Sequence, residues 1–103
     1  MKIYTTDYIT GKSLETLGMV QGSTVQSKHI GRDIAASFKT IVGGELKGYT
    51  EMMNDARKNA TDRMIAQAEA MGADAIIAVR YSSSAIMDGA AEIMVYGTAV
   101  KFI

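Results

Sequence analysis

A long helical run closed by glycine leads straight into an apolar strand, and this join constrains the fold more than any other feature of the chain. After Gly43-Gly44-Glu45-Leu46-Lys47-Gly48-Tyr49, apolar and small residues recur by threes and fours at Met53, Ala56, Ala60, Met64, Gln67 and Met71, while Glu51, Asp55, Lys58, Asp62 and Glu69 mostly fall elsewhere. This is the pattern of an amphipathic helix. The run stops at Gly72, and Ala73-Asp74-Ala75-Ile76-Ile77 follows as a strand. About 23 helical residues span roughly 35 Å, close to the roughly 33 Å of a ten-residue strand, so helix and strands match in length. The stripe is mostly alanine and methionine, which lets a backbone approach closely while methionines fill irregular gaps.

The earlier half reads as strand, helix and connector. Residues 2 to 5 are β-prone and lead into a polar turn that includes Gly11. Leu17 to Ser27 carries no charge over eleven positions and is expected to be the first long strand, with Gly18 and Gly22 weakening it or marking bulges. Ile30, Ile34, Phe38 and Ile41 recur at helical spacing between Gly31 and Gly43, which predicts a shorter helix of about three turns ended by the glycine after Val42.

The last third predicts a hairpin. Asp88-Gly89 lies between β-prone runs, where a type I′ turn asks for positive φ at both central positions. Centring the turn there pairs Ile77 with Val100, Val79 with Thr98, Tyr81 with Tyr96 and Ser83 with Met94 on one face. The other face carries Ile76, Ala78, Val95, Gly97 and Ala99, interrupted by Arg80 and Lys101. Both faces are then largely apolar or small, whereas a sheet with one wet face alternates cleanly. One helix layer does not cover both, and an uncharged edge strand at Leu17 to Ser27 offers free backbone groups to a neighbour. Both points favour self-association. The rival is that the shorter helix covers the second face within one copy.

At 103 residues the chain makes a single domain over 1–103. With 11 basic and 11 acidic residues there is no net charge to draw it to nucleic acid or to an anionic membrane. The absence of cysteine removes disulfides, thiolate metal sites and cysteine nucleophiles together. The start has no apolar core of signal-peptide length, and no segment approaches the roughly 20 apolar residues of a membrane span. A soluble, cytoplasmic protein is expected.

Several of these features together resemble one family. Gly43-Gly44, then Gly48-Tyr49 with Glu51 close behind, Met71-Gly72-Ala73-Asp74-Ala75 closing the helix, and the final Gly97-Thr98-Ala99-Val100 strand are similar to the YbjQ-like family. Leu17-Gly18-x-Val20-x-Gly22 and the Asp33-to-Gly44 segment extend the likeness over nearly the whole chain. The resemblance implies a dodecin-like α+β protomer in which a small antiparallel sheet is packed by one long and one shorter helix. It also implies a closed ring, a pentamer, and the family's heavy-metal-binding label.

The candidate ligands in the sequence are few. His29 and Asp33 place two donors one turn apart if the shorter helix begins early, and Glu51 and Asp55 stand four apart on the long helix. Soft ions favour sulfur and borderline ions sulfur or nitrogen, yet the chain has one histidine and no cysteine. A single donor repeated around a ring axis is one way to assemble a site that no protomer contains. Methionine thioethers suit copper(I) in the same way, although the eight methionines mainly fall where core packing puts them. Gly43, Gly44, Gly48, Tyr49 and Glu51 form a second candidate, a glycine loop whose amides at the helix start suit an anion. Its G-x-x-x-x-G spacing lacks the Lys-Ser/Thr pair of a phosphate loop, because Tyr49 and Thr50 stand there, and a helix cap plus connector explains it as well. Ser82, Ser83 and Ser84 have no motif tying them to His29. The chain thus reads as a non-enzymatic homo-oligomeric module with a metal ion or small ligand at its subunit interfaces. The competing class is a small enzyme whose active site is shared between subunits.

Overall fold

Four strands and one long helix account for most of the chain. The computed structural model describes residues 1–27, 41–42 and 45–103. Its elements are β1 (Lys2–Ile3), β2 (Leu14–Ser27), β3 (Ile41–Val42), β4 (Glu45–Leu46), α1 (Lys47–Ala70), β5 (Ala75–Met87) and β6 (Ala90–Phe102). The main sheet has the order β1-β5-β6-β2. It is mixed rather than purely antiparallel, because β1 runs parallel to β5. The shorter helix expected around Ile30, Ile34 and Phe38 lies outside the described residues. Its expected last turn is corrected: Ile41–Val42 is extended and pairs antiparallel with Glu45–Leu46. Two β-branched residues before a glycine pair suit a small strand, where their χ1 stiffness carries no penalty.

Helix α1 packs on one face of the sheet through Met52, Ala56, Ala60, Met64 and Ala68, all buried and each four residues from the last. The expected stripe therefore holds at its centre and shifts at its ends. Met53 is half-buried, Gln67 is exposed, and Met71 lies beyond the helix and is exposed. The helix ends in paired terminal bonds, with the Ala73 amide donating to Ala68 O at 3.1 Å and the Gly72 amide to Glu69 O at 3.0 Å. Gly72 takes φ +76°, the left-handed residue this cap needs. Against the alanines lie Val20, Ile76, Val79, Ile93, Val95 and Ala99. Gly22 faces the helix so closely that a Cβ there would stand 2.0 Å from Ala60 O. Helix backbone and strand backbone touch at that point.

The hairpin turns at Asp88-Gly89 as expected, but its register does not follow a straight ladder. Ile77 pairs with Thr98, Arg80 with Tyr96, Tyr81 with Val95 and Ser82 with Met94, with irregularities between Ile77 and Arg80 and between Ala85 and Met87. Each irregularity adds a residue to β5 and flips the faces that follow. Tyr81 consequently faces the helix, its hydroxyl 2.8 Å from Thr61 Oγ1, while Arg80 neighbours Tyr96 on the opposite face. The turn is not type I′. Gly89 has φ +76°, but Ala78 is the one non-glycine residue with positive φ among the described residues, so Asp88 stays out of the left-handed region. The bulge beside the turn supplies the strand twist that a type I′ turn would otherwise provide.

Ala78 sits at φ 55° inside the first irregularity, a conformation that costs an L-residue about 1–2 kcal/mol. The N-terminal segment holds it there: the Ala78 amide donates to Thr6 O at 2.8 Å and the Val79 amide to Tyr4 O at 2.9 Å. Replacing Ala78 by glycine should therefore raise stability by about 0.5–1 kcal/mol, a gain of a few degrees in melting temperature. A thermal melt that drops instead would show that the Ala78 methyl group matters more than its backbone strain.

Among the described residues the second sheet face is covered at one end only. Tyr4, Ile9 and Leu14 pack on Ala75, Ile77 and Val100. Further along, Met19 and Val25 on β2 are 68% and 59% exposed, Tyr96 is exposed, and the hairpin from Tyr81 to Asp88 is exposed throughout.

Candidate functional site

The sequence-derived candidates do not converge. Glu51 and Asp55 are exposed on the solvent side of α1, in company that marks an ordinary charged face. Arg57 hydrogen-bonds Asn54, and Lys58 Nζ lies 2.9 Å from Asp62 Oδ2 with both side chains largely exposed. That hydrogen bond and the Asp62 charge hold the Lys58 ammonium above its ordinary value, with Asp55 adding to the effect. Such a pair contributes little to stability at the surface. Gly48 and Tyr49 lie within the first turn of α1 and are half-buried, which places Gly48 at the helix start rather than in an open loop. His29, Asp33, Gly43 and Gly44 lie outside the described residues. Ser82, Ser83 and Ser84 lie in β5 and are exposed.

The sheet edges are more informative. The outer edge of β2 is partly capped by the helix: the Gln21 amide donates to Gln67 Oε1 at 2.9 Å, and Arg63 Nη1 donates to Ser23 O at 2.6 Å. Gln67 thus serves the strand edge rather than the core. Among the described residues no strand pairs with this edge, and Val25 to Ser27 run on beyond those two caps. At the other side β1 pairs with β5 only at Ala75 and Ile76. From Arg80 to Met87 the outer edge of β5 likewise has no strand partner among the described residues.

A concavity of about 390 Å³ opens beside the strained bulge, lined by Tyr4, Thr6, Tyr8, Ile9 and Thr10. Sequence reading treats this stretch as a polar turn and misses it. The available signal is the pair of tyrosines set among threonines just after the first strand.

A four-stranded mixed sheet with one long helix on one face defines a small α+β domain. The chain belongs to the YbjQ family: the family model described as "Putative heavy-metal-binding" matches residues 1–103. It is similar to a UPF0145 protein of Alkaliphilus metalliredigens, 65% identical over the full length of both chains, and to one of Clostridium novyi, 57% identical over the same full length. A UPF0145 protein of Thermotoga maritima is 61% identical, covering 98% of this chain and 96% of its own. These names carry no enzymatic activity. A crystal structure of a DUF74-family protein from Pediococcus pentosaceus shares the fold, with TM-score 0.68 and 15% sequence identity, covering 100% of this chain and 98% of the other.

Among the described residues the carboxylate donors do not suit a soft heavy-metal ion. Among the described residues no group of three or more histidine, cysteine, aspartate or glutamate side chains could hold an ion. Glu51 and Asp55 supply only exposed carboxylates, hard donors that suit magnesium or calcium rather than soft ions. No helix among the described residues is long and apolar enough to cross a membrane.

Proposed function

We propose that this protein is a cytoplasmic, non-enzymatic binding module that works as a closed ring of identical copies, a pentamer, with ligand seats at the subunit interfaces. The observation that carries the reading is the sheet with two unequal edges that have no strand partner among the described residues, the partly capped β2 on one side and Arg80 to Met87 of β5 on the other. Joining unlike edges is a head-to-tail contact, and such contacts close into rings when the rotation allows. The uncovered face adds to the driving force. Met19, Val25 and Met87 are each more than half exposed, and burying such side chains contributes about 1.5–3 kcal/mol apiece before association costs. The family description favours a metal ion as the ligand. With no donor set among the described residues, that reading rests on His29 and Asp33, which lie outside them, or on donors repeated around the ring axis.

Native mass spectrometry tests assembly and ligand together. A multimeric mass is expected at micromolar protein, and the pair Met19→Lys and Val25→Lys should shift it toward single chains by placing charges on the contact. Single-chain mass for the unaltered protein would end the ring reading. If added metal ions are not retained, or if Glu51→Gln and His29→Ala leave their uptake unchanged, the metal reading falls. Turnover on a general hydrolase panel would favour the shared-site enzyme instead.

A further inference from the structure

The hollow lined by Tyr4, Thr6, Tyr8, Ile9 and Thr10 is built rather than incidental. On leaving β1, the chain is tied to β5 by the Tyr4 amide donating to Ile76 O at 2.9 Å, in addition to the Ala78 and Val79 bonds to Thr6 O and Tyr4 O. Arg80 Nη1 donates to Thr5 O at 2.9 Å. Thr6 Oγ1 donates to Tyr8 O at 2.6 Å, and the Lys12 amide closes the far end on Ile9 O at 3.1 Å. The backbone is thereby held in place, at the expense of a left-handed Ala78. Strain retained by its surroundings is a feature of functional sites.

What the hollow presents selects its occupant. It is an open concavity of about 390 Å³, room for a small ring rather than a large ligand. No lining side chain is charged, which favours an uncharged occupant. Two of the lining residues are tyrosines: Tyr4 also packs on the Ala75 cluster, Tyr8 is 61% exposed, and neither phenol hydroxyl has a hydrogen-bond partner among the described residues. Ring faces stack on planar π systems, and the free hydroxyls together with Thr10 suit a polar rim. A purely aliphatic ligand would leave those hydroxyls unpaired. We infer that this hollow binds a small uncharged aromatic heterocycle, stacked on Tyr8 and hydrogen-bonded at its edge by the tyrosine and threonine hydroxyls. All five lining residues come from one copy.

Isothermal titration calorimetry of the full chain with nicotinamide, adenine and uracil, and with glucose as the contrasting uncharged ring, tests this. At least one heterocycle should bind saturably while glucose does not. Tyr8→Ala should weaken that binding about tenfold through loss of one stacked ring, and Tyr8→Phe, which keeps the ring, should change it by no more than about threefold. Tyr96→Ala, on the uncovered sheet face, should leave it unaltered. Because Tyr8 is mostly exposed, its alanine variant should keep the unaltered protein's melting temperature, so lost binding reports the site and not the fold. No heat with any heterocycle up to about 5 mM, equal affinity in Tyr8→Ala, loss in Tyr96→Ala, or binding of glucose would each overturn the assignment.

Discussion

Gly22→Ala is expected to destabilise the protein by about 3–5 kcal/mol, at the upper end of what one added methyl group does. The new Cβ would lie 2.0 Å from Ala60 O, 2.6 Å from Met64 N and 3.0 Å from Arg63 Cβ. The first two are helix backbone atoms, which cannot rotate aside as a side chain can. The helix must lift from β2. That opens the packing of Val20 on Ala56, Ala60 and Met64, and it strains the Arg63 and Gln67 bonds that cap the strand edge. Chemical or thermal denaturation followed by circular dichroism should show a melting temperature lower by roughly 15 °C or more. A change under about 1 kcal/mol would mean that helix and strand are not in backbone contact at Gly22.

Met64→Ala is the second large effect, expected at about 2–5 kcal/mol. Met64 has no exposed surface and is among the largest fully buried side chains, enclosed by small alanines that cannot swing in to refill the space. The unbranched Leu substitute keeps most of the volume, so Met64→Leu should cost less than about 1.5 kcal/mol. Met71→Ala supplies the contrast: its side chain is 40% exposed beyond the helix cap, and its loss should stay within about 0.5 kcal/mol. Urea midpoints with an unchanged slope would report these differences as native-state stability. Equal effects at Met64 and Met71 would contradict the helix orientation.

Periodicity places both methionines on one stripe, and that is where sequence reasoning reaches its resolution. A helix drifts relative to any fixed row of residues, so the contact row of Met52, Ala56, Ala60, Met64 and Ala68 is set by the angle at which α1 crosses the sheet. Sequence reading accordingly finds the middle of the row, includes Gln67 and omits Ala68. The hairpin has the same character. Asp88-Gly89 marks the turn, but the two irregularities in β5 carry no distinctive residue, and Ala78 is an unlikely residue type for a left-handed position. The expected pairs Ile77–Val100 and Tyr81–Tyr96 fail for that reason. Among the candidate ligand residues, Glu51, Asp55, Gly48 and Tyr49 share the first turns of α1, while His29, Asp33, Gly43 and Gly44 lie outside the described residues. The hollow beside Tyr8 is lined by Tyr4 to Thr10 alone, but a linear reading misses it because that segment is held by bonds to β5, some seventy residues away along the chain.

Local chemistry in the chain was enough to determine the long helix, its stop at Gly72, the Leu17–Ser27 part of an edge strand that runs from Leu14 and includes Glu15, and the position of the hairpin turn. These depend on neighbours within a few residues, where spacing and backbone preference act directly. The tertiary structure alone decided the ladder register, the mixed sheet, the role of Gln67 and Arg63 as edge caps, and the Tyr4–Thr10 hollow. Each of these is an energy shared between segments distant in sequence, and no single segment carries it.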